Sequence, residues 1–443
     1  MNQTIFPLAR WLTAVITLLL SATALPAWAA IDGITGPVFN LTAKEDHIST
    51  GDGNSIYNWG YASDDKGNFP GVMQYPGPTL IVNQGATVTI NLSNTLPVPV
   101  SIVFPGQQGV TTSGGTDGLI TKEAPAMSGG VPGMVSYTFT ATHAGTYQYH
   151  SGTQPAVQVE MGLVGALIVR PSGVADPLHQ AYVHPDTAFA REHLFVLTEI
   201  DPLIHEQLMS NPLAVVDTSN YRPVYWFING RNAPDTMLEA GVPWLPTQPY
   251  NSMPRMHPGE KLLIRMVGGG RDLHPFHTHG NNFWVIARDG RVLESAPGAG
   301  PDLAVSDFTL RTVPGETYDA IFEWTGKGLG WDIYGTTAQF AHTCTPDVNG
   351  FDTATREWCA DHNKPIPVVL PNLQDITVGP HYSGSPYLGR FGTLPPGSVV
   401  LNQNAGYFHM WHSHNEREIV NNDIFPGGMM SMLIIEPASV TIP

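Results

Sequence analysis

Cysteine is nearly absent: Cys344 and Cys359 are the only 2 in 443 residues. They bound "CTPDVNGFDTATREWC", and the spacing leaves two readings open. In an oxidising compartment a disulfide closing this loop would contribute on the order of 3 kcal/mol by the loop-entropy model. The rival reading is a pair of free thiols serving a metal, against which stands the lack of any histidine between them. Under either reading no thiol lies near the histidines at 409–414. Charge is also scarce. Charged residues make up 13 %, and 20 basic against 37 acidic side chains give a net charge of −17. That balance argues against nucleic acid and anionic lipid as partners and is compatible with attracting cations. Long amphipathic helical patterns are missing, and no apolar run is long enough for a stable membrane span in the mature chain.

The segment 1–30 reads as a signal peptide. "MNQTIFPLAR" supplies one positive charge at Arg10, "WLTAVITLLLSATAL" an apolar run, and "PAWAA" a small-residue cleavage site. The lone arginine points to the Sec route, and the destination is periplasmic or secreted.

Glycine and proline are plentiful, at 46 and 39 residues, and short apolar or alternating runs recur between them: "TLIVNQGATVTINLS", "MVSYTFTATHAGTYQYH", "EHLFVLTEID", "NNFWVIARDG", "SMLIIEP". This is the pattern of an all-β sandwich protein. An internal repeat is visible within it. "GTYQYHSG" followed by "GLVGALIVRP" matches "GYFHMWHSH" followed by "GMMSMLIIEP", superposing Leu167 on Leu433 and Val169 on Ile435. Two sandwich domains are therefore expected, at 31–175 and 176–443. The second carries an insertion at about 326–395, a length suited to covering a site or a partner surface.

Of 17 histidines, six fall in two short clusters, "HPFHTHG" with His274, His277 and His279, and "HMWHSH" with His409, His412 and His414. Strand side chains alternate between faces, so the i, i+2 spacing puts His277 with His279, and His412 with His414, on one side, and Ser413 on the other. Two such pairs on homologous strand ends can form one imidazole site. A nitrogen-rich set without carboxylates leans towards copper or zinc. The bland alternative is hydrogen-bonded strand-end histidines with no metal. Isolated His143, His193 and His257 read as surface or capping residues.

"HPFHTHGNNFWVIARDG", "YQYHSG" with "GLVGALIVRP", and "WHSH" with "GGMMSMLIIEP" resemble the multicopper oxidases, the cupredoxin-fold family of laccases and bilirubin oxidases. The resemblance implies two cupredoxin-like Greek-key sandwiches and a copper cofactor. The layout is most similar to two-domain laccases, which implies a homotrimer with copper held between neighbouring chains. Carried over by residue, it assigns His274 to the type 1 copper and His277, His279, His412, His414 and His150 to the trinuclear cluster. Other positions depart from the pattern. Val103 and Pro105 stand where the first motif has two ligands, Gly152 replaces a histidine, Ser413 the type 1 cysteine, and Glu418 the type 1 histidine.

A serine hydroxyl neither binds copper as a thiolate does nor conducts its electron to the adjacent histidines. No blue centre is expected, and a laccase reaction is not. The leading expectation is an exported copper-binding protein with an atypical His-only site, acting as a redox enzyme if it is an enzyme at all. The alternatives are a copper carrier or tolerance protein, and a copper-free envelope scaffold with an unidentified partner. Glu416, Glu418 and Asp423 lie on a lengthened connection and could approach the metal, though surface acids on an exposed loop are the plainer reading.

Overall fold

The computed structural model describes residues 31–334, 341–365, 384–386 and 406–442. The expected signal peptide lies outside them. Strand alternation does the building. In Thr87–Asn94, Val88, Ile90, Leu92 and Asn94 point inward while their neighbours are half-buried or exposed. A five-stranded and a four-stranded sheet make the first sandwich, whose core gathers Phe39, Leu41, Trp59, Ile90, Tyr137, Tyr149 and Leu167. Ile204 and Leu208, from the helix Pro202–Ser210, also pack into it. A seven-stranded and a six-stranded sheet make the second sandwich, around Phe195, Phe276, Phe322, Trp324, Trp411 and Leu433. Leu329, Trp331, Ile333 and Tyr334 belong to that second core, so the chain just past residue 326 is built into the sandwich. The expected all-β cupredoxin-type architecture is thus what the chain adopts.

The internal repeat is a repeat of register. Tyr147 pairs with Leu167 and His150 with Val164; in the second copy His409 pairs with Leu433 and His412 with Met430. His150 therefore occupies the place of His412. The neighbour across the other edge agrees: Val103 bridges to His150 as His277 pairs with His412.

A buried charge network joins the sandwiches. Arg170, at the end of a first-sandwich strand, donates to Glu192 Oε2 at 2.8 Å, and Arg265 Nε donates to the same oxygen at 2.9 Å. Thr146 Oγ1 donates to Asp319 at 2.6 Å and accepts from Arg265 at 3.0 Å. Burial alone would raise the Glu192 carboxyl, but the Arg265 and Arg170 guanidiniums outweigh it and hold it below the ordinary range. Cys344 and Cys359 are joined as a disulfide with Cα atoms 5.6 Å apart, the first of the two sequence readings. Two of the isolated histidines are not surface residues. His257 is held by Glu260 at 3.0 Å and by the Val440 carbonyl at 2.8 Å, and burial pushes His193 down to about 3.

Glu192→Gln removes one charge from a network with two buried guanidiniums. It should cost about 3–5 kcal/mol, read as a lowered denaturant midpoint. A loss under ~1 kcal/mol would mean that the network does not tie the sandwiches together.

Candidate metal centre

The strands His274–His277 and Tyr407–Ser413 run antiparallel with Phe276 opposite Ser413 and His277 opposite His412. This one register sorts seven side chains onto two faces. Phe276, Trp411 and Ser413 point into the second sandwich and are fully buried. His277 and His412 point the other way. His279 and His414 extend the two strand ends on that outer side. Gly280, at φ +98°, turns the chain where a Cβ would lie 2.8 Å from the His409 ring.

On the outer face, ligand nitrogens of His277, His279 and His412 all lie within 4.8 Å of one another. His279 Nε2 and His412 Nε2 are 3.1 Å apart. That is roughly the separation of two nitrogens bound at about 2.0–2.1 Å to one ion. The His414 ring centroid is 4.8 Å from that of His277. His277 Nδ1 is hydrogen-bonded to Thr309 Oγ1 at 2.7 Å, and His412 Nδ1 to the Ser413 carbonyl at 2.6 Å. The Ser413 carbonyl can only accept, so His412 carries its proton on Nδ1 and leaves Nε2 to the cluster, as in metal-ligating histidines. Burial, reinforced by the neighbouring imidazoles, pushes His277 down to about 4 and His279 to about 3, and lowers His412. The rings are neutral donors at physiological pH, so the set fits a cation that imidazole suits, copper among them.

The inner face is different chemistry. Glu418, expected on an exposed loop, is buried in the turn Glu416–Ile419; Glu416 and Asp423 are exposed. The Glu418 carboxylate accepts from Ser413 Oγ at 2.6 Å, from His274 Nδ1 at 3.0 Å and from Asn415 at 2.8 Å. His274 Nε2 donates to Glu199 Oε2 at 2.8 Å. Burial would strip the His274 proton, but the hydrogen bonds to Glu199 and Glu418 outweigh it and raise this histidine to about 10. His274 thus stands as an imidazolium between two carboxylates. Glu199 was not singled out from sequence, because "VLTEID" shows two acids at a strand end and nothing of the partner 75 residues away.

His150 repeats the His412 arrangement, with Nδ1 2.9 Å from the Ser151 carbonyl and burial lowering its pKa. The structure does not group it with His277, His279 and His412. A second metal-capable group, His342, Glu357 and His362, was also missed. Its only sequence signal is the flanking of the two cysteines in "HTC" and "EWCADH". A cavity of about 300 Å³, lined by Asp32, His193, Tyr250 and Arg255 among others, contains none of the outer-face histidines.

Because the folded-state pKa of His274 is raised, its proton stabilises the fold fully below about pH 6.5 and ceases to do so as pH climbs towards about 10. The stability gap between wild type and Glu199→Gln should therefore be widest at about pH 6 and narrow steadily from there to pH 10, measured as urea midpoints. A gap independent of pH across that window would contradict the imidazolium.

Comparison with known proteins bears on this geometry. Two family models, each described as multicopper oxidase, match residues 71–173 and 217–314. A stretch of 101 residues is 39 % identical to the multicopper oxidase MCE of Talaromyces pinophilus, over 22 % of this chain and 15 % of that one. A copper resistance protein A homolog of Pseudomonas syringae pv. tomato is 26 % identical over 67 % of this chain and 50 % of its own length, so the chain spans half of that relative. In structure, the blue copper oxidase from Nitrosomonas europaea superposes with a TM-score of 0.52 at 18 % identity, covering 89 % of this chain and 85 % of that one. That likeness establishes the shared fold. Copper is the cofactor implied by these matches, and each sandwich contains one stretch matched by a multicopper oxidase model, which is the family this chain resembles in sequence.

Proposed function

We propose that this chain is an exported copper-binding protein whose centre is built from histidine alone, by His277, His279, His412 and His414, and which has no type 1 centre. The observation that carries the reading is the convergence of three neutral imidazoles within 4.8 Å on the outer face of two paired strands. Copper bound there would supply redox or Lewis-acid chemistry at open positions. The protein supplies the rest: His277 and His279 as buried rings that stay unprotonated, and a His412 tautomer fixed by the Ser413 carbonyl.

The inner face supports the second half of the proposal. Where the family's electron-conducting thiolate would stand, Ser413 donates to a carboxylate, and His274 is engaged at both ring nitrogens. Both cysteines are joined in the disulfide, so no thiolate is available to hold a blue copper or to pass its electron to His412 and His414. Domains at 31–175 and 176–443 fit this picture, each contributing one copy of the strand pair. In a homotrimer, His150 of a neighbouring chain would meet the outer face. A role in copper tolerance is favoured by the copper resistance protein homolog, which aligns with 67 % of this chain.

Protein reconstituted with copper and desalted should retain at least one copper per chain at this centre. It should give a nitrogen-rich tetragonal electron paramagnetic resonance signal and no intense blue absorption. Changing His277, His279, His412 and His414 together to alanine should abolish that signal. An unchanged copper content and spectrum in that variant would overturn the assignment. Because His277 and His279 stay neutral down to about 4 and 3, copper should be retained at pH 5, where ordinary surface histidines are protonated and release it.

A further inference from the structure

The disulfide Cys344–Cys359 brings together residues that lie far from the outer-face histidines in sequence and use a different donor set. His342 stands two residues before the first cysteine, Glu357 two before the second and His362 three after it. Glu357 is buried, and its carboxylate is shared: His342 Nε2 lies 2.7 Å from one oxygen and His362 Nδ1 3.0 Å from the other. The three ligand atoms lie mutually within 4.8 Å, and the two rings are 4.7 Å apart between centroids. Asp332, also buried, adds a second carboxylate 3.4 Å from His362 Nδ1 while accepting the backbone N–H groups of Tyr334 and Asn363. Neither Glu357 nor Asp332 is paired with a lysine or arginine among the described ion pairs. Burial and the Asp332 charge, against the hydrogen bond from His342, raise the Glu357 carboxyl.

We propose that His342, Glu357 and His362 form a second metal site, for a divalent first-row cation of zinc type, which staples the 341–365 segment beside its disulfide. Two imidazoles and one carboxylate are a donor set that zinc accepts, with one position left for water. The cysteines are spent in the disulfide and contribute no thiolate. On binding, each imidazole carries its N–H on the ring nitrogen away from Glu357, and the cation takes the place of the shared hydrogens. Asp332 positions His362 and offsets the second positive charge. Nothing in this site depends on copper at the outer face.

The test uses the full chain with His277, His279, His412 and His414 changed to alanine, stripped with a chelator and titrated with zinc alone. One zinc per chain is expected, with a rise in melting temperature. Cobalt in its place should give the visible absorption of a tetrahedral nitrogen and oxygen site. Glu357→Gln, which keeps the side-chain shape, should weaken zinc binding at least tenfold, and His342→Ala with His362→Ala should abolish it. Wild type and Glu357→Gln compared in parallel give the same reading if the alanine background does not fold. No zinc retained, or equal affinity in Glu357→Gln, would overturn the site and show that the two imidazoles only share a structural carboxylate.

Discussion

The pairing of His277 with His412 is the constraint on which the rest of this molecule depends. In an antiparallel ladder a shift of one residue exchanges the faces of every side chain. Here such a slip would send Ser413 outward and bury His412 in the second core. Large buried groups hold the register. Phe276 and Trp411 pack with Phe195 and Phe322, and Trp411 Nε1 donates to the His279 carbonyl at 3.0 Å, fixing the residue just beyond the strand. Packing energy that belongs to the core thereby aims the imidazoles.

The first sandwich keeps the same backbone without the same chemistry. Val103 stands where His277 would, His150 where His412 does, and the contact from the ring Nδ1 to the following carbonyl is preserved. Ligand side chains on an outer strand face can be exchanged for valine, proline or glycine at little cost, because they do not fill the core. The strands beneath them cannot be lost, because Tyr147, Tyr149 and Leu167 on the inner side do fill it. The first copy's different outer-face residues and its matching fold are thus two results of one alternation.

Period-2 runs, turn residues and the two matching strand ends made the all-β class and the repeat legible in the sequence, and the family followed from "HPFHTHG" and its companions. The outer-face pair was legible too, since i, i+2 spacing maps directly to one strand face. What stayed hidden required partners brought together by folding. Glu418 reads as a loop acid in "NEREIV", and only the turn at Glu416–Ile419, capped by Asn415 accepting from the Arg417 N–H at 3.3 Å, folds it back under Ser413. Glu199, and the group of His342, Glu357 and His362, depend on separations that local pattern does not encode. His193 and His257 read as surface or capping residues because a lone histidine carries no periodic signal of its burial.

One strand therefore separates two sites with opposite electrostatic demands. On the inner face, Glu199 and Glu418 carry negative charge, His274 carries the proton between them, and further donors close the remaining lone pairs. Those are Tyr221 at 3.1 Å and the Asp272 N–H at 2.9 Å for Glu199, and Asn415 and Ser413 for Glu418. A buried ionic group with its hydrogen bonds completed in this way is stable without any added ion. On the outer face the groups are neutral bases, lone pairs crowded so closely that each imidazole makes its neighbour harder to protonate. Crowding of that kind is relieved by a shared cation and not by protons. The inner site holds one proton on His274 between two carboxylates, whereas the outer site presents the nitrogen donors of the proposed metal centre. Ser413 sits at the boundary: its side chain completes the inner site, and its carbonyl orients His412 on the outer face.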